Sequence, residues 1–230
     1  MRSSLVQATG QLTLKFPTRQ RYAATDFLQA PCNAAALTWL ARTADWPNRR
    51  LALWGEAGNG KTHLMHIWAE RSGAVLLRGP TLHDLPDLPT RGGIALDEAD
   101  ATANEPALLH LLNAASEAGL PVLMAGRAPP SRWKTRLADL ASRLRAVAAV
   151  EIGAPDDDLL RALLVRLAKE RQLVVSEAVH EWLLRRLPRT PAALREAMAR
   201  LDEAALASGS AVTRVLAASA LAGIIGPSPD

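Results

Sequence analysis

The sequence predicts an α/β fold: a five-stranded parallel sheet with helices on both faces, followed by a small helical lid domain. Two observations predict it. Up to residue 152, short apolar runs alternate with segments of helical periodicity, as expected for strand–helix–strand units. From residue 155 onward only helical patterns remain. The 230 residues are enough for one such core and a small second unit.

The composition narrows the class of protein. Hydrophobic residues make up 49% of the chain, which excludes wholesale disorder. No apolar run approaches the ~20 residues of a membrane span, and the first residues lack a signal-peptide pattern. The single cysteine, Cys32, permits no internal disulfide and is expected to be a small buried side chain. We therefore expect a cytoplasmic protein without a membrane partner.

The net charge of +4 is weak support for nucleic-acid binding. The basic residues are spread among acidic ones, and no dense run of Lys or Arg occurs. The composition permits proximity to DNA without predicting a direct contact.

Residues 1–21 are predicted to form a flexible arm. Within it, Gln11-Leu12-Thr13-Leu14-Lys15-Phe16 alternates polar and apolar residues before Pro17. Such a segment is either an edge strand or a short linear motif. In the second interpretation the Gln11 head group and the apolar anchors Leu12, Leu14 and Phe16 dock on a partner surface. The residue pattern alone does not choose between the two.

A nucleotide-binding domain is predicted over residues 22–153. It opens with a helix at about residues 33–43, on which Ala36, Leu37 and Leu40 share one apolar face. The segment before it can cover a nucleotide base, which makes Asp26 and Phe27 candidates for that role. Core packing is the alternative for Phe27.

Residues 51–62, LALWGEAGNGKT, contain the pattern G-x-x-x-x-G-K-[ST] between an apolar run and a helical segment. Glycines let the backbone bend so that its N–H groups face a phosphate, and the helix that follows adds its positive dipole end. Lys61 would reach the terminal phosphates, and the Thr62 hydroxyl would ligate Mg²⁺. The predicted ligand is ATP or ADP with Mg²⁺, held by Gly55, Glu56, Ala57, Gly58, Asn59, Gly60, Lys61 and Thr62.

A strand at 74–77 and a proline-rich stretch at 81–93, too broken for a long helix, follow the helix at 62–71. The apolar run at 93–98 then ends in two carboxylates. Asp97 is predicted to hold the Mg²⁺ shell, partly through water. Glu98 is predicted to act as the general base on an attacking water.

The rest of this domain is predicted as a helix at 105–118, a strand at 121–125, a helix at 137–145 and a strand at 147–152. Arg127, just after the strand at 121–125, either senses a phosphate or faces solvent. Ser142 and Arg143 project near the end of the helix at 137–145. Arg143 is either a solvated charge or an arginine finger, which stabilises transition-state charge on another protein's nucleotide.

The lid is predicted over residues 154–225, with residues 226–230 as a frayed tail. Asp156-Asp157-Asp158 would cap a helix at 159–171. Further helices are expected at 176–187, at 191–207 with Thr190 as N-cap, and from 213 onward.

Together these residues resemble the DnaA/Hda branch of AAA+ ATPases, most closely the Hda-type regulatory inactivators of DnaA. The motifs that carry the resemblance are Gly60-Lys61-Thr62-His63, Asp97-Glu98, the Arg-x-Pro-Pro that starts at Arg127, and Asp139-Leu140-Ala141-Ser142-Arg143-Leu144. The resemblance covers about residues 22–222. It adds His63 to the nucleotide-binding set.

The resemblance implies a regulator of replication initiation. Such a protein docks on the DNA polymerase III β sliding clamp through an N-terminal motif similar to residues 11–16. It meets ATP-bound DnaA and stimulates ATP hydrolysis there through a trans-acting Arg143. DNA would be an indirect partner, and self-association is compatible with the fold.

Three departures from the family pattern predict weak hydrolysis of the chain's own nucleotide. Residues 79–93 are shorter than the corresponding DnaA segment, and Arg127 stands where an acidic residue is usual. Ala192 aligns with the nucleotide-sensing arginine of the lid, for which Arg189 or Arg195 are neighbouring substitutes. Two other functions stay open. One is an independent ATPase or DnaC-like helicase loader, and the other is a non-hydrolysing nucleotide-gated adaptor.

Overall fold

A computed structural model describes residues 22–225. Its five strands form one sheet in the order β2-β3-β4-β1-β5, with every neighbouring pair parallel. The predicted fold class is confirmed. The strands are β1 (Arg50–Trp54), β2 (Val75–Arg78), β3 (Ile94–Asp97), β4 (Val122–Gly126) and β5 (Ala148–Glu151).

Eight α-helices accompany the sheet within the described residues. Four belong to the sheet domain: α1 (Pro31–Ala41), α2 (Lys61–Ser72), α3 (Glu105–Glu117) and α4 (Ala138–Arg145). Four form the lid: α5 (Asp157–Glu170), α6 (Glu177–Arg186), α7 (Pro191–Ser208) and α8 (Arg214–Ala220).

The central strands are buried on both faces, and alternate residues serve different cores, because successive side chains of a strand point to opposite sides. On β1, Leu51 and Leu53 join the core beneath α1 and α2, whereas Ala52 joins the core beneath α3 and α4. On β4, Leu123 joins the core beneath α1 and α2, and Met124 joins the core beneath α3 and α4. The sheet is therefore held rigidly between two helical layers, and its carboxyl edge is a fixed platform for a site.

The lid has an apolar core of its own, in which α5, α6 and α7 bury leucines such as Leu164, Leu183 and Leu201 completely. Caps begin its helices as the sequence predicts. The Asp156 carboxylate accepts a bond from the Leu159 N–H at 2.8 Å. Thr190 caps α7 through the Ala193 N–H.

Several element boundaries differ slightly from the prediction. Helix α1 begins two residues earlier than expected, at Pro31, whose ring is suited to the first helical position. Strand β2 lies one residue further on and ends at Arg78, which brings that side chain beside β3. Between β2 and β3 the chain forms a single helical turn, Gly79–Thr81. On α3, Leu109 is half-buried, whereas Leu108, Leu111 and Leu112 are buried.

The predicted arm at 1–21, with Gln11, Leu12, Leu14 and Phe16, and the predicted tail at 226–230 lie outside the described residues. Within residues 22–225, no helix combines the length and the apolar character that crossing a membrane requires.

Candidate nucleotide-binding site

The glycine-rich loop joins β1 to α2 at the carboxyl edge of the sheet. Gly58 and Gly60 have φ values of 85° and 96°, a region that favours glycine. Within the loop, the Lys61 ammonium donates to the backbone carbonyls of Gly55 at 2.7 Å and Glu56 at 2.8 Å. The lysine is therefore folded back over the loop, where an anion would compete with two neutral carbonyls for its positive charge.

Burial lowers the pKa of Lys61, while the carboxylates of Asp97 and Asp100 act in the opposite direction. Arg127 adds to the lowering. Removing a cation from water without a full counter-charge disfavours the charged form. A phosphate at this position would supply the missing negative charge.

Thr62 and Asp97 are brought together, as the sequence suggests for neighbours at a sheet edge. The Thr62 hydroxyl donates to one carboxylate oxygen of Asp97 at 2.7 Å. The other oxygen accepts the N–H of Glu98 at 2.9 Å. A hydroxyl and a carboxylate at this distance are the oxygen ligands that Mg²⁺ prefers, so the residues present fit that ion.

Glu98 follows β3 in a left-handed backbone conformation, with φ of 51°. Its carboxylate forms an ion pair with Arg78 at 2.7 Å. Arg78 is directly opposite Asp97 in the parallel register. Sequence reasoning missed this arginine, although its place after the apolar run of β2 was a signal that it would reach the same edge.

A cavity opens above the loop. Arg127 lines it from the end of β4, and the Arg127 backbone N–H donates to the Asp100 carboxylate at 2.7 Å. Asp100 is a second residue that sequence reasoning missed. The cavity is lined by Ala57, Gly58, Lys61, Thr62, Asp97, Glu98, Asp100, Ala101, Gly126 and Arg127.

A second cavity lies between the sheet domain and the lid. Asp26 and Phe27 both line it, and Asp26 is tied to Arg166 of α5 by an ion pair of 2.6 Å. The Phe27 ring would lie 3.2 Å from a Cβ placed on Gly60. An apolar cavity that continues from the phosphate loop suits the base and sugar of a nucleotide. Its lining is completed by Leu28, Cys32, Asn33, Asn59, Gly60, Gly153, Pro155, Leu159, Leu163, Pro191 and Arg195.

The cysteine in this region differs from expectation, and Asn59 has a supporting role besides its place in the cavity wall. Cys32 is half-exposed in the wall of the second cavity rather than buried. Burial, and then the charge of Asp156, raise the pKa of its thiol. Asn59 braces the loop, because its side-chain amide donates to the carbonyls of Ile152 at 3.1 Å and Gly153 at 3.0 Å.

The His63 ring is not among the residues that line either cavity. It is buried, with its Nε2 3.0 Å from the Ala23 carbonyl and its ring edge-on to Tyr22 and Phe27. Burial lowers its pKa. The side chain therefore positions the segment that carries Asp26 and Phe27.

The lid approaches the phosphate loop through small side chains. The Cβ atoms of Thr190 and Ala192 lie 3.2 Å and 3.3 Å from the position that a Cβ on Gly58 would take. Arg189 forms an ion pair with Asp157 at 2.6 Å. Arg195 lines the second cavity, and burial lowers its pKa. The place over the loop is therefore taken by Ala192, and Arg195 faces the second, or base, cavity.

Arg143 lies on α4, far from this loop. Helix α4 ends just before β5, whose first residue, Ala148, pairs with Leu51 near the start of β1. Arg143 is half-buried there, and its charge contributes to a lowered pKa of Arg50, after burial. The phosphate loop begins at the other end of β1, five residues after Arg50. At the rise of a β-strand, this separation is roughly 16 Å. The guanidinium is thus placed away from its own phosphate loop.

Comparison with known proteins agrees with this architecture. Residues 156–216 match the family model of the Hda lid domain. The chromosomal replication initiator DnaA of Thermus thermophilus is 25% identical over 235 residues, which cover 90% of this chain and 54% of that protein. The chain thus spans about half the length of the curated relatives it matches.

Solved structures share the fold. Domain III of the Thermotoga maritima initiator DnaA has a TM-score of 0.76 at 17% identity and covers 92% of this chain and all of its own. The AMPPCP-bound DnaA of Aquifex aeolicus has a TM-score of 0.64 at 14% identity, covering 77% of this chain and 64% of its own. Residues 156–216 are thus similar to the Hda lid domain, and the chain shares the fold of DnaA domain III.

Proposed function

We propose that this chain, a member of the DnaA/Hda branch, is a nucleotide-bound regulator of replication initiation. It acts on DnaA while docked on the sliding clamp, and its effect is to stimulate hydrolysis of the ATP that DnaA carries. The observation that carries the proposal is the position of Arg143 at the sheet edge opposite the chain's own phosphate loop.

Nucleotide binding is supported by the two adjoining cavities and by the loop geometry. ATP or ADP would place its phosphates on the loop from Gly55 to Thr62 and its base against Phe27. Thr62 and Asp97 would hold Mg²⁺, with Asp97 acting partly through water. The ion would neutralise phosphate charge beside Lys61.

The catalytic contribution would come from Arg143 acting in trans. A guanidinium supplied to a neighbouring nucleotide stabilises the negative charge that develops on the transferred phosphoryl group. Arg143 is half-exposed, and within residues 22–225 it forms no ion pair that would hold it in place. Both features suit a side chain that completes another protein's site.

Two features support weak hydrolysis of the chain's own nucleotide. Glu98 is engaged by Arg78 rather than free to orient water. The lid presents Ala192, not a cation, over the phosphate loop. Both also favour a nucleotide-gated adaptor, in which the bound nucleotide sets the shape of the protein without being consumed.

Docking on the clamp is proposed from the N-terminal sequence. Gln11, Leu12, Leu14 and Phe16 supply one polar head group and three apolar anchors, the composition of a peptide that binds in a pocketed groove. The docking would raise the local concentration of the regulator near DNA-bound DnaA.

The decisive experiment follows the nucleotide of DnaA. ATP-loaded DnaA is mixed with this chain and clamp loaded on DNA, and conversion of the ATP held by DnaA to ADP is measured. Arg143→Ala is expected to lower the stimulated rate by about 10³-fold, since arginine fingers contribute 10³–10⁵. Arg145→Ala is the matched control: it removes an exposed arginine from the same helical turn and should leave the rate within about twofold.

Full stimulation by Arg143→Ala would refute the trans-acting role. The clamp motif is tested separately by replacing Gln11 and Leu12 with Ala. Clamp affinity should be lost while nucleotide affinity stays unchanged, and Gln7→Ala, outside the motif, should change neither. Unchanged clamp affinity in the double variant would return residues 11–16 to an ordinary strand.

A further inference from the structure

Four side chains form a basic surface on the lid, at the junction of α6 and α8. Trp182, Arg185, Arg186 and Arg214 together line a shallow depression there. We call these four residues the lid arginine patch. Arg185 and Arg186 belong to the last turn of α6, and Arg214 is the first residue of α8.

Two arginines of the patch, Arg185 and Arg214, are held by neutral backbone groups. Arg185 donates to the backbone carbonyl of Glu181 at 3.3 Å, and Arg214 donates to the carbonyl of Ala178 at 3.4 Å. The Arg186 guanidinium lies 4.8 Å from the centre of the Trp182 ring. These contacts fix the side chains in place, but a backbone carbonyl does not cancel the positive charge of Arg185 or Arg214.

The carboxylates nearest in sequence are engaged elsewhere. Glu177 and Glu181, the two acids of α6, both form ion pairs with Arg161 of α5. Within residues 22–225, Arg185 and Arg214 form no ion pair. The other lid arginines that take part in ion pairs are Arg166, Arg189 and Arg200. Within the described chain, Arg185 and Arg214 thus place two exposed positive charges without a paired carboxylate at the junction of α6 and α8.

We propose that the lid arginine patch binds the phosphodiester backbone of duplex DNA without sequence preference. Guanidinium groups match phosphate geometry. Because Arg185 and Arg214 are exposed, contact with a phosphate costs them little solvation free energy. This inference goes beyond the proposed function, in which DNA is only an indirect partner. A direct contact would orient the lid on the DNA beside which the regulator works.

The structure favours the backbone of a duplex over the bases of a single strand. Single-strand binders stack bases on open aromatic faces. Here Arg186 covers the Trp182 ring, and Trp182 also packs against the lid core. Binding would therefore depend on charge, which makes it strongly dependent on salt.

An acidic protein surface is the rival ligand. Protein interfaces usually bury an apolar or aromatic anchor at their centre. The one aromatic ring in the depression, Trp182, is covered by Arg186 and packed against the lid core, so it is not an open anchor. The exposed apolar residue beside it is Val215, which is 81% exposed and lies next to Arg214 in sequence.

The test uses the full chain alone with a short fluorescent duplex, and anisotropy gives the affinity at several salt concentrations. Arg185→Ala and Arg214→Ala should each weaken binding by about three- to tenfold, as for lost phosphate contacts. The double variant should reduce the slope of log K against log salt by about two. Arg185→Lys, which keeps the charge, should retain most of the affinity. A single strand of equal length should bind more weakly than the duplex.

Arg200→Ala is the matched control, because Arg200 is an exposed lid arginine whose charge is already paired with Glu196. It should leave the affinity within about twofold. An equal loss in Arg200→Ala would show that net charge, not the patch, governs binding and would overturn the proposal. So would an unchanged affinity and salt slope in the double variant, provided that its thermal unfolding matches that of the parent.

Val215→Ser distinguishes the rival ligand. It should leave duplex binding unchanged if phosphates are the ligand. If Val215→Ser and the arginine variants weaken binding to a poly-glutamate probe while duplex affinity does not respond, the patch is a protein-docking surface and the DNA proposal fails. DnaA is absent from every arm, so these outcomes do not depend on the proposed regulatory function.

Discussion

Arg78, the last residue of β2, forms an ion pair of 2.7 Å with Glu98, which follows β3. The two side chains meet because β2 and β3 are parallel and Arg78 lies opposite Asp97 in the register. Both are substantially exposed, so the pair is a weak contributor to stability. Its consequence is for chemistry: a carboxylate oxygen engaged by a guanidinium is less available to orient an attacking water.

Replacing Arg78 with Leu should therefore release Glu98. We expect the chain's own ATP hydrolysis to rise by about two- to tenfold, which is a small part of the 10²–10⁴ that a well-placed general base contributes. Single-turnover hydrolysis of radiolabelled ATP measures it.

Arg78→Lys keeps a cation within reach of Glu98 and should retain the low parental rate. Adding Glu98→Gln to Arg78→Leu should abolish the gain. A rate in Arg78→Leu equal to that of the parent would mean that the ion pair does not restrain Glu98.

Parts of the site that are local in the chain could be predicted from the sequence. The loop from Gly55 to Thr62 is one continuous segment, and its spacing is dictated by the phosphate it surrounds. Asp97 and Glu98 end a buried strand, and parallel strands bring their carboxyl ends to one edge, where Thr62 bonds to Asp97. Strand period and helix caps likewise predicted the five strands and eight α-helices of the described chain to within a few residues.

The rest depends on tertiary placement, which periodicity does not encode. The second cavity joins the segment at Asp26 and Phe27 to Cys32, Gly153 and Arg195, which are far apart in sequence. Cys32 was expected to be buried because free cysteines usually are, whereas the gap between lid and sheet leaves it in a cavity wall. The ion pair between Arg78 and Glu98 needed the exact end of β2, and strand ends are the least certain part of any prediction from sequence.

The alanine over the phosphate loop predicts weak discrimination between nucleotides. Ala192 and Thr190 face Gly58, so the lid offers no positive charge there to a third phosphate. The parent chain should bind ATP and ADP with affinities within about tenfold of each other. Ala192→Arg should strengthen ATP binding by about ten- to a hundredfold and ADP binding less, since a charged hydrogen bond is worth about 1.5–3 kcal/mol. Isothermal titration with each nucleotide measures the ratio.

Ala192→Gln is the control for this change, because it adds a side chain of some length without charge. It should leave the ratio of ATP to ADP affinity near that of the parent. The same ratio in the Arg and Gln variants would mean that position 192 does not reach the third phosphate.

The single cysteine reports on occupation of the base cavity. Cys32 lines that cavity, and burial raises the pKa of its thiol, so reaction with a disulfide reagent should be slow near neutral pH and accelerate as pH rises. Saturating ADP with Mg²⁺ should slow the reaction by about tenfold or more, because the base and sugar would cover the sulfur. The absorbance of the released thiolate follows the rate.

Cys32→Ser supplies a blank, since the chain has no other cysteine. Protein unfolded in urea should react quickly and at the same rate with or without ADP. Equal rates in the folded protein with and without saturating ADP would place the nucleotide outside this cavity.

Burial of His63 predicts a loss of stability in mild acid. Its Nε2 donates to the Ala23 carbonyl, so that nitrogen carries a proton. Burial is the largest cause of its lowered pKa. Arg195 and His66 act in the same direction, whereas the Ala23 carbonyl and Asp26 oppose it.

The folded pKa of His63 thus lies below its pKa in the unfolded chain, which is near 6.5. As pH falls through that value the unfolded chain binds the proton first, so the free energy of unfolding decreases, by up to about 1.4 kcal/mol per pH unit.

Urea unfolding between pH 8 and pH 5 measures this dependence, and ~pH 6.5 marks where it should begin. His63→Gln can still donate to the Ala23 carbonyl but does not titrate, so its stability should fall less steeply on acidification than that of the parent. His110→Gln changes an exposed histidine of α3 and should follow the parental curve.

Parallel curves for His63→Gln and the parent would show that His63 is not the buried group whose protonation opposes folding. A flatter curve would locate the acid sensitivity where α2 meets the segment that carries Asp26 and Phe27. Acidification would then loosen the wall of the base cavity first, because the His63 ring packs directly on Phe27.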